Sequence, residues 1–379
     1  MVSRRGFLSA AAGALAGLGL GRMGEMGETF VDGQTGRRVW IMARGSASGL
    51  YFHQNCFTAA GDLMVYRGPT PEGGQSFVLD LATGGSRQLT HEPGGMHSEV
   101  LAAKTRRLYY RAGDAIRCVH LDAGVTRTVG EVPAGLSAYL LTLSADERTL
   151  ASGYVQGGEE IAKLPRGESF VRMFDAKLRN VIYTLDIASG RYEEVYEENA
   201  WLGHFQFSPT DPNTLMFCHE GPWERLDRIW LLDLRTRANR LAFPRRREGE
   251  IAGHEFWHPD GTRIWFDLRH RADGEFALAN VDLATGALTA YPLKREEWSY
   301  HYNVEPQGQW LCGDGGPDGP WIYRFDPRPD GSVAVTKLCS MAGHDYARWE
   351  PNVHVTPDAR WVVFTTNMTG STEVRAVEA

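Results

Sequence analysis

The chain has 379 residues, of which 42% are hydrophobic, 23% charged and 11% aromatic, a globular composition that excludes disorder, collagen and coiled coil. Its 43 glycines and 18 prolines favour short strands joined by turns over long helices. Forty basic against 47 acidic residues leave a net charge of −7; this argues against a nucleic-acid partner and requires any anionic ligand to meet a local basic patch.

At the N-terminus, Ser3-Arg4-Arg5-Gly6-Phe7-Leu8 precedes an Ala/Gly-rich apolar stretch reaching about Leu20. A twin arginine before a weakly hydrophobic segment is the pattern of a Tat-type export signal. Residues 1–28 are therefore read as signal and linker, and 29–379 as one soluble domain, exported or periplasmic and free of the membrane after export. No later stretch approaches eighteen consecutive apolar residues. The five cysteines (Cys56, Cys118, Cys218, Cys312, Cys339) form no C-x-x-C pair, and four lie in apolar strand-like runs, the setting of buried free thiols.

From residue 58 onward a unit recurs: strand, tight turn, strand, gap, strand, then a D-x-x-[ST]-G-like turn. The strand after each first turn passes through Met64, Leu108, Leu150, Leu215, Ile264, Leu311 and Val362, with spacings of 44, 42, 65, 49, 47 and 51. Closing turns such as Leu-Asp-Leu-Ala-Thr-Gly (79–84), Leu-Asp-Ile-Ala-Ser-Gly (185–190) and Val-Asp-Leu-Ala-Thr-Gly (281–286) keep the same register. Four-stranded units of this length are propeller blades, so the fold class is all-β, a seven-bladed β-propeller. The long spacing calls for an insertion at 155–180, which is charged and Gly-rich. The last unit is one strand short, and Arg37–Met42 can supply its outer strand and close the ring.

Equivalent innermost-strand positions of a propeller converge on one channel. Ten or eleven places before the anchors stand His53, His97, His204, His254, His301 and Asn352, with Tyr139 near that place in the third unit. Neutral imidazoles bind a divalent metal, and an unliganded histidine accepts a proton near pH 7. Glu350, two residues before Asn352, makes a mixed N/O donor set that suits Mn²⁺ or a related ion. Arg228 opens a strand near this set, and Arg269 and Arg245–Arg247 are further candidates for an anion patch. No nucleophile elbow, phosphate loop or dinucleotide fingerprint appears.

Several runs carry a resemblance: Trp201-Leu202-Gly203-His204, Phe217-Cys218-His219-Glu220-Gly221-Pro222, Asp227-Arg228-Ile229-Trp230, Gly253-His254-Glu255-Phe256-Trp257 and Gly313-Asp314-Gly315, with Gln54-Asn55-Cys56-Phe57-Thr58 in the first unit. They resemble the oligogalacturonate lyase family from about Thr29 to the C-terminus, less closely at 90–185. The resemblance implies β-elimination of short oligogalacturonides to unsaturated uronates. It implies His254 as the base for the C5 proton, Arg228 near the substrate carboxylate, and His301 as a ligand of Mn²⁺. His204, His219, Gln54 and His53 are expected to contact a small acidic oligosaccharide. The family's Gln-x-x-His-x-His run reads here Ala347-Arg348-Trp349-Glu350-Pro351-Asn352, so the remaining expected ligands are Glu350, Asn352 and His344, with His354 another possibility. Two other readings stand beside this one: a lyase for another acidic glycan fragment, and a non-catalytic exported binding propeller.

Overall fold

A computed structural model describes residues 27–133, 137–270 and 273–379; the twin-arginine segment falls outside these residues. Seven antiparallel sheets follow one another along the chain. The seven anchors are all fully buried. Six of them pair with the residue preceding the aspartate of their own closing turn (Leu79, Leu185, Leu232, Val281 and Phe325) or its counterpart Val119, and Val362 pairs with Val377. The closing turns are held as their composition implies: Asp80 Oδ1 accepts from the amides of Ala82 and Thr83 at 2.9 and 2.8 Å, and Gly84 takes φ 69°.

Successive strand residues face opposite sides of a sheet, so each blade is apolar on both faces. Met64 belongs to a core shared with Trp361 of the last blade, while its neighbour Val65 packs with Leu108 of the next. Seven such clusters occur, one at each junction between adjacent blades. All five cysteines are buried and unpaired within this framework. Among the described residues no helix is long and apolar enough to cross a membrane.

The ring closes as the sequence implies. Arg38–Ala43 pairs with the last strand, Glu373–Glu378. A further strand, Glu28–Val31, adds outside it and makes this blade five-stranded. The 155–180 insertion is a pair of helices, α1 (Glu159–Ala162) and α2 (Arg166–Asp175), between the second and third strands of the third blade. The first blade departs from the pattern. Only three strands are regular, and its innermost segment is reduced to an isolated bridge between Phe57 and Met64. The freed segment 51–54 reaches into the ring: Phe52 N–H donates to Asn352 Oδ1 (3.1 Å), Asn303 donates to Phe52 O (2.9 Å), and Gln54 donates to Glu99 O (2.6 Å).

Candidate active site at one end of the ring

The innermost strands of the fourth and fifth blades carry the same irregularity. Register shifts between Gly203 and Gln206, and between Gly253 and Phe256, leave His204 and His254 at φ 49° and 48°. Positive φ at a non-glycine residue costs of order 1–3 kcal/mol, and such bulges re-aim a side chain next to many active sites. In the second blade the equivalent conformation falls on Ser98, not His97, whose Nδ1 contacts Ser98 Oγ. The equivalent position in this blade is therefore Ser98, one residue beyond His97, and His97 does not line the cavity described next.

That cavity, of about 690 Å³, opens between α1–α2 and the inner strands and is lined by Tyr51, His53, His204, Arg228, His254 and Glu350 among others. His254 Nδ1 lies 3.0 Å from Asp267 Oδ1, and Asp267 is fully buried. Burial opposes ionisation of Asp267, but Arg269, 2.8 Å from its other oxygen, and His254 hold the carboxyl down at about 2. Gly253 permits this approach, since a Cβ there would stand 2.7 Å from Asp267 Oδ1. With Nδ1 committed to a permanent anion, Nε2 is the nitrogen of His254 left to accept a proton.

Arg228, 3% exposed, donates from Nε to Glu255 (2.7 Å) and sits 3.0 Å from Glu220. Burial works against the Glu220 charge, yet Arg228 and His204 keep that carboxyl at about 2. His204 lies between the two acids, with Nε2 3.3 Å from Glu220 and Nδ1 3.6 Å from Glu255. Its neighbour His53 is pushed well below the ordinary histidine range by burial and by His204. The ring of Tyr51 lies within 5.1–5.8 Å of those of His53, His204 and His301.

His301 sits just behind the cavity wall, stacked on Phe52 and edge-on to His254 with centroids 4.7 Å apart in both cases. Asp314 fixes its Nδ1 at 2.8 Å, the usual second partner of a metal-bound imidazole. Its Nε2 is buried, has no hydrogen-bond partner, and lies 3.8 Å from Glu350. One imidazole and one carboxylate fit a divalent cation as a partial set, with the other positions left to water or substrate oxygens.

The other expected ligands are engaged in hydrogen bonds within the fold. Asn352 Oδ1 accepts the Phe52 amide, and its Nδ2 donates to Glu350 O at 3.0 Å. His344 is engaged at both nitrogens, by Thr366 Oγ1 (3.3 Å) and the Trp349 carbonyl (2.9 Å). His354 bonds the Leu50 carbonyl, and burial lowers it to about 4. Two expected substrate contacts also lie elsewhere: His219 pairs with Glu198 and stacks on Trp230, and buried Gln54 spends its amide on Glu99 O. His53, His204, His254 and Arg228 do line one cavity, with His301 and Glu350 at its edge.

Sequence reasoning missed the acids that orient the site. Asp267 and Asp314 each follow their histidine by 13 residues, an offset that a search across blades could have found. It also missed the aromatic wall. Phe170 of α2 meets Trp201 and Trp223 edge-on at 5.2 and 5.1 Å, and Trp223 Nε1 donates to Glu220 (3.0 Å).

Known proteins share this architecture. A family model described as oligogalacturonate lyase matches residues 26–320. The oligogalacturonide lyase of Pectobacterium atrosepticum is 26% identical over 347 residues, covering 84% of this chain and 87% of that protein. The oligogalacturonate lyase of Dickeya dadantii is 25% identical over the same shares. Among solved structures, an oligogalacturonate lyase in complex with manganese superposes with TM-score 0.82 at 24% identity, over 93% of this chain and 95% of that one. An oligogalacturonate lyase from Vibrio parahaemolyticus gives 0.81 at 23% identity, over 93% and 96%. A family match spanning most of a seven-bladed ring assigns the chain: it belongs to the oligogalacturonate lyase family.

Proposed function

We propose that this chain cleaves short oligogalacturonides by β-elimination, with His254 as the base. The observation that carries the assignment is the His254–Asp267 pair at the cavity wall: a buried carboxylate fixes Nδ1, so Nε2 meets the substrate as an acceptor. The electron pair of the C5–H bond forms the C4=C5 double bond, the C4–O4 bond breaks, His254 takes the C5 proton, and O4 leaves with a proton from water. A proton α to a carboxylate is weakly acidic because its removal adds charge to an anion, so cations must face that carboxylate. Arg228 is suited to this, since Glu220 and Glu255 hold it in one orientation beside His254. Manganese, present in a related solved structure, would here be held by His301 and Glu350, and when bound supplies further positive charge against the carboxylate. His204 lines the same cavity between Glu220 and Glu255, where it can contact the bound sugar.

The test is ultraviolet absorbance of unsaturated uronate during incubation with di- and trigalacturonate, with Mn²⁺ and with chelator. Growth of the signal that chelator abolishes, together with Mn²⁺ retained by the purified protein and lost in Glu350→Ala, is the expected result. No unsaturated product from either substrate overturns the assignment. We also propose export through the Arg4-Arg5 segment; a double Lys replacement should leave the protein in the cytoplasmic fraction.

A further inference from the structure

The cavity has two chemically different halves. One carries the imidazoles, Arg228 and Arg269. The other is formed by Phe170 and Met173 of α2, with Tyr139, Leu140, Trp201 and Trp223. This second half is built into the fold. Gly221, at φ 141°, lies so close to α2 that a Cβ there would stand 2.2 Å from Phe174. Lys177 and Arg225 flank the same Phe174 ring at 3.9 and 5.5 Å.

Charge divides the halves as sharply as shape. Among the described residues lining the cavity, the only arginines are Arg228 and Arg269, there is no lysine, and both arginines are already paired with buried carboxylates. The charged group bonded to the aromatic wall is an anion, Glu220, which accepts from Trp223, and Ser169 of α2 adds only a neutral hydroxyl to the lining. A free uronate carboxylate placed in this half would lose water, meet no unpaired cation among the lining residues and face Glu220. A neutral ester in the same place loses little hydration and buries its methyl group against Met173 and the rings.

Resting on the β-elimination reading above, we infer that the apolar half receives the departing sugar, the one joined through its anomeric carbon to O4. We further infer that the enzyme prefers this sugar as its methyl ester over the free acid. The reacting sugar keeps its free carboxylate at the Arg228 end. The substrate class is thus a partly methyl-esterified oligogalacturonide, neutral on the departing side and anionic on the reacting side.

The experiment compares kcat/KM, read from unsaturated product, for digalacturonate and for digalacturonate esterified only on its non-reducing residue. The expected ratio favours the ester by about tenfold, the discrimination an apolar pocket gives for a small apolar group. Met173→Arg, a half-exposed position on α2, should reverse the ratio by offering a free cation. Equal or better cleavage of the unesterified substrate by the wild-type enzyme overturns this inference while leaving the lyase assignment intact. An unchanged ratio in Met173→Arg also overturns it. Cleavage of neither substrate overturns the lyase assignment and this inference with it.

Discussion

His204 and His254 occupy the same place in adjacent blades, on the same bulge and with nearly the same φ, yet they are equipped for different chemistry. The residue paired with the preceding glycine differs: Asp267 opposite Gly253, Cys218 opposite Gly203. In the fifth blade the acid anchors one imidazole nitrogen and frees the other. In the fourth, a buried thiol makes no such anchor, and the imidazole lies between Glu220 and Glu255 instead. In the sixth blade Asp314 likewise holds one nitrogen of His301, but without the bulge or the positive φ. The repeat therefore delivers imidazoles to the channel, and a residue on the neighbouring strand changes the partners each one meets.

The comparison can be broken most directly at the two histidines. His254→Asn should lower kcat by about 10³-fold with the fold intact by circular dichroism, as expected on removing a positioned base. His204→Asn should act mainly on KM, by about tenfold. Equal effects on kcat from both would erase the distinction drawn between the blades.

Asp267→Asn should lower kcat by about 10²-fold with little change in KM, because the imidazole loses the anion that fixes its tautomer and stabilises its protonated form. Installing the fifth-blade acid in the fourth blade tests the same point from the other side. Cys218→Asp would put a third carboxylate around Arg228, beside Glu220 and Glu255, and should cost about 3 kcal/mol in denaturant unfolding. Cys218→Ser should cost under about 1.5 kcal/mol.

A further effect concerns acid stability. Glu220 is held at about 2 in the folded protein, so its contribution is present above the ordinary carboxyl range near 4.5 and is lost as pH falls toward 2. Stability should drop by roughly 2–3 kcal/mol over that interval in the wild type on account of this group. In Glu220→Gln the acid limb should be shallower by that amount, measured by urea unfolding at several pH values.

Much of the fold was legible because blade signals are local. The seven anchors and the Asp-Gly turns each depend on residues within one hairpin, and the strand shortage in the last unit pointed to the N-terminal strand that pairs there. The first blade was less legible, since nothing in its turns shows that Tyr51–Gln54 abandons strand geometry to fill the ring. The site was legible in its histidines and not in its ligand set. Asn352 and His344 have donor chemistry suited to a metal, but the Phe52 amide engages the first, and the Trp349 carbonyl and Thr366 hydroxyl engage the second.

By itself, the sequence determined the number of blades, the way the ring closes, the placing of an insertion in the third blade and the convergence of imidazoles on one channel. Those follow from periodic patterns whose physical cause, alternation of buried faces and tight turns, lies within short stretches of chain. Only the tertiary structure decided which imidazole nitrogen is free, which donors are already spent, and that Phe170 of α2 joins Trp201 and Trp223 in an aromatic wall of the cavity. These depend on bulges that re-aim side chains and on partners brought from other blades, and a pairing between strands of different origin leaves no period in the sequence to read.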